Sequence, residues 1–79
     1  LGFMKVDKEF IREAVADVIC CDADTIQDTT NFISDLEVNS IQMLEIVAAI
    51  EDEYDIEVKA NEFTKYDTIN KIVETLEKM

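Results

Sequence analysis

The chain predicts an all-α fold: a small four-helix bundle of three longer helices and one short one, with a long loop between helices one and two. Three observations predict it. Apolar residues recur at helical spacing in three separate segments. The chain has no Pro and one Gly, so little interrupts those segments. The single run that alternates as a strand would, Asp55 to Lys59, has no second strand to pair with.

Residues 1–5 read as a tail, and Met4 is a natural start that would leave Leu1 to Phe3 as an appendage. Asp7 is an N-cap type, and Phe10, Ile11, Ala14, Val15, Val18 and Ile19 follow it at helical spacing, which predicts helix one over Lys8 to Cys20. From Cys21 to Asn39 the period is lost, and Asp, Thr and Asn favour turns and caps. Asp22 and Asp24 do not open a calcium loop, because no Gly stands at the required turn and no Glu closes twelve residues. Phe32, Ile33, Leu36 and Val38 need burial, so this loop is expected to drape over the core. Helix two is expected over Ser40 to Tyr54, followed by a connector that tucks Ile56 and Val58 inward. Asn61 to Tyr66 holds one short helical turn with Phe63 and Tyr66 packing inward. Asp67 or Thr68 caps the last helix, whose stripe is Ile69, Ile72, Val73, Leu76 and Met79.

The 79 residues suffice for one small domain, 1–79, and a domain of this size buries only about 60% of its unfolded surface. The absence of His removes the commonest general base and metal ligand. No pair of catalytic groups converges, so an enzyme is not expected. Nineteen Asp and Glu against seven Lys and Arg give a charge of -12, which repels nucleic acid and anionic membranes and attracts basic protein surfaces. No run is long enough to span a bilayer, and none resembles a secretory signal. Cys20 and Cys21 are adjacent and alone, which excludes a disulfide framework and suits a cytoplasmic setting. They read as small buried hydrophobes at a helix end.

Helix two has two faces. At about 100° per residue, Met43, Ile46, Val47, Ile50 and Tyr54 fall on one side, and Ile41, Leu44, Glu45, Ala48 and Asp52 on the other. The first suits a core; the second mixes apolar residues with carboxylates, as a surface for partners would. At the helix entrance Ser40 is either a simple N-cap, a role Asn39 can also fill, or a hydroxyl set where a helix N-terminus favours phosphate.

The chain resembles the acyl carrier proteins, within the wider carrier group that includes peptidyl carriers. The similarity runs through Phe32-x-x-Asp35-Leu36, Ser40 opening helix two, Glu45, the cluster Glu51-Asp52-Glu53, Tyr54, Asp55-Ile56-Glu57-Val58 and the final Thr68-Ile69 helix. The resemblance implies a carrier that does no chemistry itself. A phosphopantetheinyl transferase would attach 4'-phosphopantetheine from coenzyme A to Ser40, and acyl groups would ride on it as thioesters. Acyl-transferring and chain-elongating enzymes of fatty acid, polyketide or related synthesis would dock through basic patches onto Asn39, Ile41, Leu44, Glu45, Ala48, Glu51 and Asp52. A monomer suits such a shuttle.

Two departures stand at the site. The family has Asp-Ser-Leu where this chain has Asn39-Ser40-Ile41, and it usually has Gly shortly before, where this chain has Glu37. Asn39 removes a charge, and Ile41 puts a β-branch where partners grip a Leu, which points to dedicated partners. Two other readings remain: a carrier-like acidic docking module that is never modified, and a small acidic regulatory bundle in which Ser40 only caps.

Overall fold

The computed structural model describes residues 5–79, and the expected appendage Leu1 to Phe3 lies outside them. Among the described residues the regular elements are all helical. Helix α1 spans Lys8–Ile19, α2 Ser40–Tyr54 and α3 Ile69–Glu77; a 3-10 helix, Ala60–Tyr66, precedes α3, and a 3-10 turn, Ala23–Thr25, punctuates the long loop. None of these helices is long and apolar enough to cross a membrane.

Each α-helix starts at a side-chain cap that takes up an otherwise free first-turn amide. Asp7 accepts the Glu9 and Phe10 N–H groups at 2.9 and 3.4 Å. Asn39 accepts Gln42 N–H at 2.8 Å, and Thr68 accepts Lys71 N–H at 3.0 Å. Of the two caps foreseen for α3, Thr68 therefore serves. Helix α1 ends one residue earlier than expected because Cys20 turns left-handed, at φ 58°. Asp55 ends α2 in the same way.

One cluster forms the core. Ile11 and Val15 of α1, Met43, Ile46, Val47 and Ile50 of α2, and Ile69, Ile72 and Leu76 of α3 meet Phe32 and Ile26 from the loop. Tyr66 and Val58 close it from the side of the 3-10 helix, and Phe63 is half-buried against it. Burial is the first cause that pushes the Tyr66 phenol above its ordinary value, with Glu62 and Glu51 adding to it. Helices α1 and α2 are further joined where Tyr54 Oη accepts Asp7 N–H at 2.9 Å and its ring meets Phe10 edge-on. Four apolar or thiol residues fall elsewhere than expected. Met79 lies beyond the end of α3 and is exposed, as is Ile33, and both cysteines face solvent at the α1 terminus.

The long loop is fixed at three points. The Arg12 guanidinium donates to Ile26 O and lies 2.5 Å from Asp28, which Lys8 also reaches at 3.0 Å. Asp28 O accepts Asn70 N–H at 3.1 Å, tying the loop to α3. Phe32 N–H donates to Asp67 O at 2.8 Å, and Asn31 Nδ2 reaches the buried Asp67 carboxylate at 3.2 Å, which Lys71 pairs from outside. Phe32-x-x-Asp35-Leu36 thereby acquires a physical meaning. Phe32 is the plug, Asp35 accepts Asn31 N–H at 2.9 Å to close the turn behind it, and Leu36 packs half-buried.

The bonds first to Arg12 and then to Lys8 hold the Asp28 carboxyl below its ordinary 3.8. A carboxyl depressed in the folded state stabilises above its unfolded pKa, and that stability is lost as pH falls through the folded value. Asp28→Asn is thus expected to be less stable than the parent at neutral pH. The gap should begin to narrow as pH drops below about 4 and close only below the depressed folded value. Urea midpoints measured across that range check both halves of the expectation.

Glu37 is the third left-handed residue, at φ 55°, and unlike Cys20 and Asp55 it does not end a helix. A side chain there costs about 1–2 kcal/mol, of which the greater freedom of unfolded Gly returns about 0.5–1. Glu37→Gly should therefore stabilise by up to about 1 kcal/mol, or roughly 4–8 °C in Tm. Glu37→Ala keeps the backbone cost and removes the same charge. A thermal melt in which both variants gain equally would assign the effect to charge.

Candidate functional site

The site lies where the loop delivers the chain to α2. Val38 N–H donates to Phe32 O at 2.9 Å, so the plug that fills the core also fixes the residue before the helix mouth. Asn39 then caps α2. Its Oδ1 accepts Gln42 N–H while Gln42 Oε1 accepts Asn39 N–H at 3.0 Å, a reciprocal box.

That box settles the choice between Asn39 and Ser40 as cap. Ser40 is the first helical residue; it is exposed, and no hydrogen bond engages its Oγ among the described residues. The first turn of α2 contains no acidic residue, so nothing there offsets the positive end of the helix dipole. An exposed hydroxyl thus stands at a helix end suited to a negative charge.

Beside Ser40 runs an open, mostly apolar groove of about 520 Å³, lined by Ile33, Val38, Asn39, Met43, Leu44 and Phe63 as well as Ser40 itself. Ile33 and Phe63 belong to the site although the sequence marked them only as core. Their signal was indirect: two large apolar side chains outside the three α-helices, in the segments on either side of α2.

The outer face of α2 follows the helical period. Ile41 is 71% exposed and Leu44 55%, with Ala48, Glu45 and Asp52 also exposed. Ile41, Leu44 and Ala48 thus form an exposed apolar strip bordered by the carboxylates of Glu45 and Asp52. Glu51 departs from the set. Its carboxylate accepts Val58 N–H at 2.8 Å and so fastens the connector after α2. The bond forms because Asp55 reverses the chain and brings Val58 back toward α2, which the spacing of acidic residues could not reveal.

Residues 9–76 match the family model described as the phosphopantetheine attachment site. The chain is 37% identical over 71 residues to polyketide-8 synthase acyl carrier protein 2 of Streptomyces avermitilis, covering 90% of this chain and 82% of that one. It is 35% identical over 63 residues to the acyl carrier protein of a Picosynechococcus species, covering 80% and 78%. The acyl carrier protein of Buchnera aphidicola is 29% identical over 75 residues, covering 95% and 94%. With the family model spanning the first helix, the loop, the Ser40 mouth and the last helix, this chain belongs to the phosphopantetheine-bearing acyl carrier proteins.

Proposed function

We propose that Ser40 is the residue that takes 4'-phosphopantetheine from coenzyme A, and that the protein delivers acyl groups to enzymes of fatty acid, polyketide or related synthesis. One observation carries the reading: capping is done by Asn39 and Gln42, which leaves the neighbouring hydroxyl exposed and uncommitted. The residues present fit the group. A phosphodiester on Ser40 would sit at the free amides of the first turn, and the apolar groove alongside would receive uncharged parts of the arm or its cargo. When attached, the arm supplies a terminal thiol that holds acyl groups as thioesters. The chain itself positions the serine and presents docking surface; it is a carrier and not a catalyst.

Incubating the folded protein with coenzyme A and a broad-specificity phosphopantetheinyl transferase, then measuring intact mass, tests the assignment. A gain of one phosphopantetheinyl unit is expected; folded protein that gains nothing would overturn it.

Partner enzymes would read α2 through Ile41, Leu44 and Ala48, with Glu45 and Asp52 as the acidic rim and Asn39 at its edge. Glu51 contributes to the field, but its carboxylate is committed to Val58. Rim charges act mostly on encounter rate, so Glu45→Lys with Asp52→Lys should lower the transferase kcat/KM by about 10–100-fold at low salt. Added salt should slow the parent and narrow the gap. Glu51→Gln should instead lower stability while changing kcat/KM little. A charge reversal without effect on rate would remove Glu45 and Asp52 from the rim.

A further inference from the structure

A second groove runs between α1 and the flank of α2 away from Leu44. Phe10, Ala14 and Val18 of α1 and Ala49 of α2 form its floor, Glu13 and Asp17 rise on one side, and its volume is about 440 Å³. It shares no lining residue with the groove beside Ser40. From this groove we infer a second docking site, whose occupant is a basic amphipathic helix of a partner protein.

The charge around the groove carries the inference. On α1 the rail is Glu13 and Asp17, both exposed. On α2, one turn either side of Ala49, stand Glu45, Asp52 and Glu53, all exposed. The α1 cations Lys8 and Arg12 lie on the opposite flank of the helix and are both held by Asp28. The apolar floor is therefore lined by carboxylates from α1 and has more carboxylates within one turn of Ala49 on α2, and the cations of α1 are drawn away from it. A partner that covers the floor must bring cations to both sets, because burying carboxylates unpaired is costly.

The shape specifies a helix. Two packed helices leave a trough along their line of contact, and a third helix fills it by setting side chains into the gaps. Ala14 and Ala49 at the floor permit close approach, while Phe10 and Val18 supply apolar area. The Phe10 ring is braced edge-on against Tyr54, with centroids 6.1 Å apart. The complementary ligand has a narrow Leu and Ala ridge with Lys or Arg along both margins. A partner bound here leaves Ser40 and its groove uncovered, while it shares Glu45 and Asp52 with the outer face of α2. This makes the site a tether, and it does not depend on modification of Ser40.

The test is a titration of the full ¹⁵N-labelled chain with a synthetic helical peptide that has a Leu/Ala ridge and Lys margins. The same peptide with Glu for Lys is the control. Amide shifts should centre on Phe10, Ala14, Val18 and Ala49, and the acidic peptide should produce none. The exposed double variant Glu13→Lys/Asp17→Lys should weaken binding by about tenfold or more. Ala14→Arg, at a half-exposed position, should block binding by filling the trough. Thermal melts confirm that both variants fold, and each is an independent check. Shifts centred on Ile41, Leu44 or Phe63 would overturn the inference, as would equal binding of the acidic peptide or indifference to both variants. Absence of any binding would do the same, and so would a sedimenting dimer that covers the same four residues, since the occupant would then be a second copy.

Discussion

Ser40→Ala is expected to abolish attachment of 4'-phosphopantetheine, with no residual mass gain after prolonged incubation with coenzyme A and transferase. The effect should be total because the substitution deletes the accepting oxygen and leaves the fold alone. Ser40 is not the cap, so Ala at this first helical position removes no stabilising bond and is a good helix former. The chain's other serine, Ser34, lies in the loop away from any helix mouth, where its backbone N–H donates to Asn31. Two further variants separate the hydroxyl from the cap that frames it. Asn39→Ala loses the bond to Gln42 N–H and should cost about 1 kcal/mol of stability while Ser40 is still modified. Asn39→Asp keeps the cap and restores the carboxylate found in the family triplet, so it should be modified faster than the parent. A Ser40→Ala protein that still gains the arm would remove the site, and an unchanged rate for Asn39→Asp would show that the lost charge is without consequence.

Legibility in the sequence followed the range of the interaction. Helix α2 has the bounds its periodicity predicts, and its inward face is the one the 3.6-residue period selects. Period and caps are local, so they can be read residue by residue. The loop could be recognised as important, but its path could not be read. It is set by Arg12 reaching Asp28 and Asn31 reaching Asp67, pairs 16 and 36 residues apart that carry no periodic signal. The same limit misplaced Ile33, whose apolarity suggested core although it lines the groove beside Ser40. Cys20 and Cys21 are exposed because the left-handed turn at Cys20 carries the chain off the bundle. Glu37 shows what a single substituted residue can conceal. Its left-handed backbone would announce itself as a Gly, and a glutamate gives no such signal. At the site, Ser40 was legible as one of two candidates for the cap, and only the Asn39–Gln42 box separated them.

Phe32→Ala is expected to consume a large part of the folding free energy and to shift the urea midpoint strongly downward. Phe32 is fully buried, and it is the loop's principal contribution to a core otherwise built mainly from helices. Truncating a buried Phe costs about 3–5 kcal/mol, from lost transfer energy and from the cavity left behind. A chain of 79 residues has roughly 4–12 kcal/mol to lose, at about 0.05–0.15 kcal/mol per residue, and a charge of -12 pushes it toward the low end. The lost fraction is therefore between a quarter and all of the total. Relaxation should be limited, because the backbone at Phe32 is held from both sides, its N–H by Asp67 O and its carbonyl by Val38 N–H. A backbone so fixed cannot sink into the vacated volume. Phe32→Leu fills more of the same space and should lose much less. The measurement is a urea titration followed by circular dichroism at low temperature, where the folded fraction is largest. A midpoint for Phe32→Ala equal to that of Phe32→Leu would mean that the loop collapses into the cavity and that its three ties are weak. With the ties intact, folded Phe32→Ala molecules should still present Ser40 to the transferase, and the modification rate per folded molecule should stay close to that of the parent.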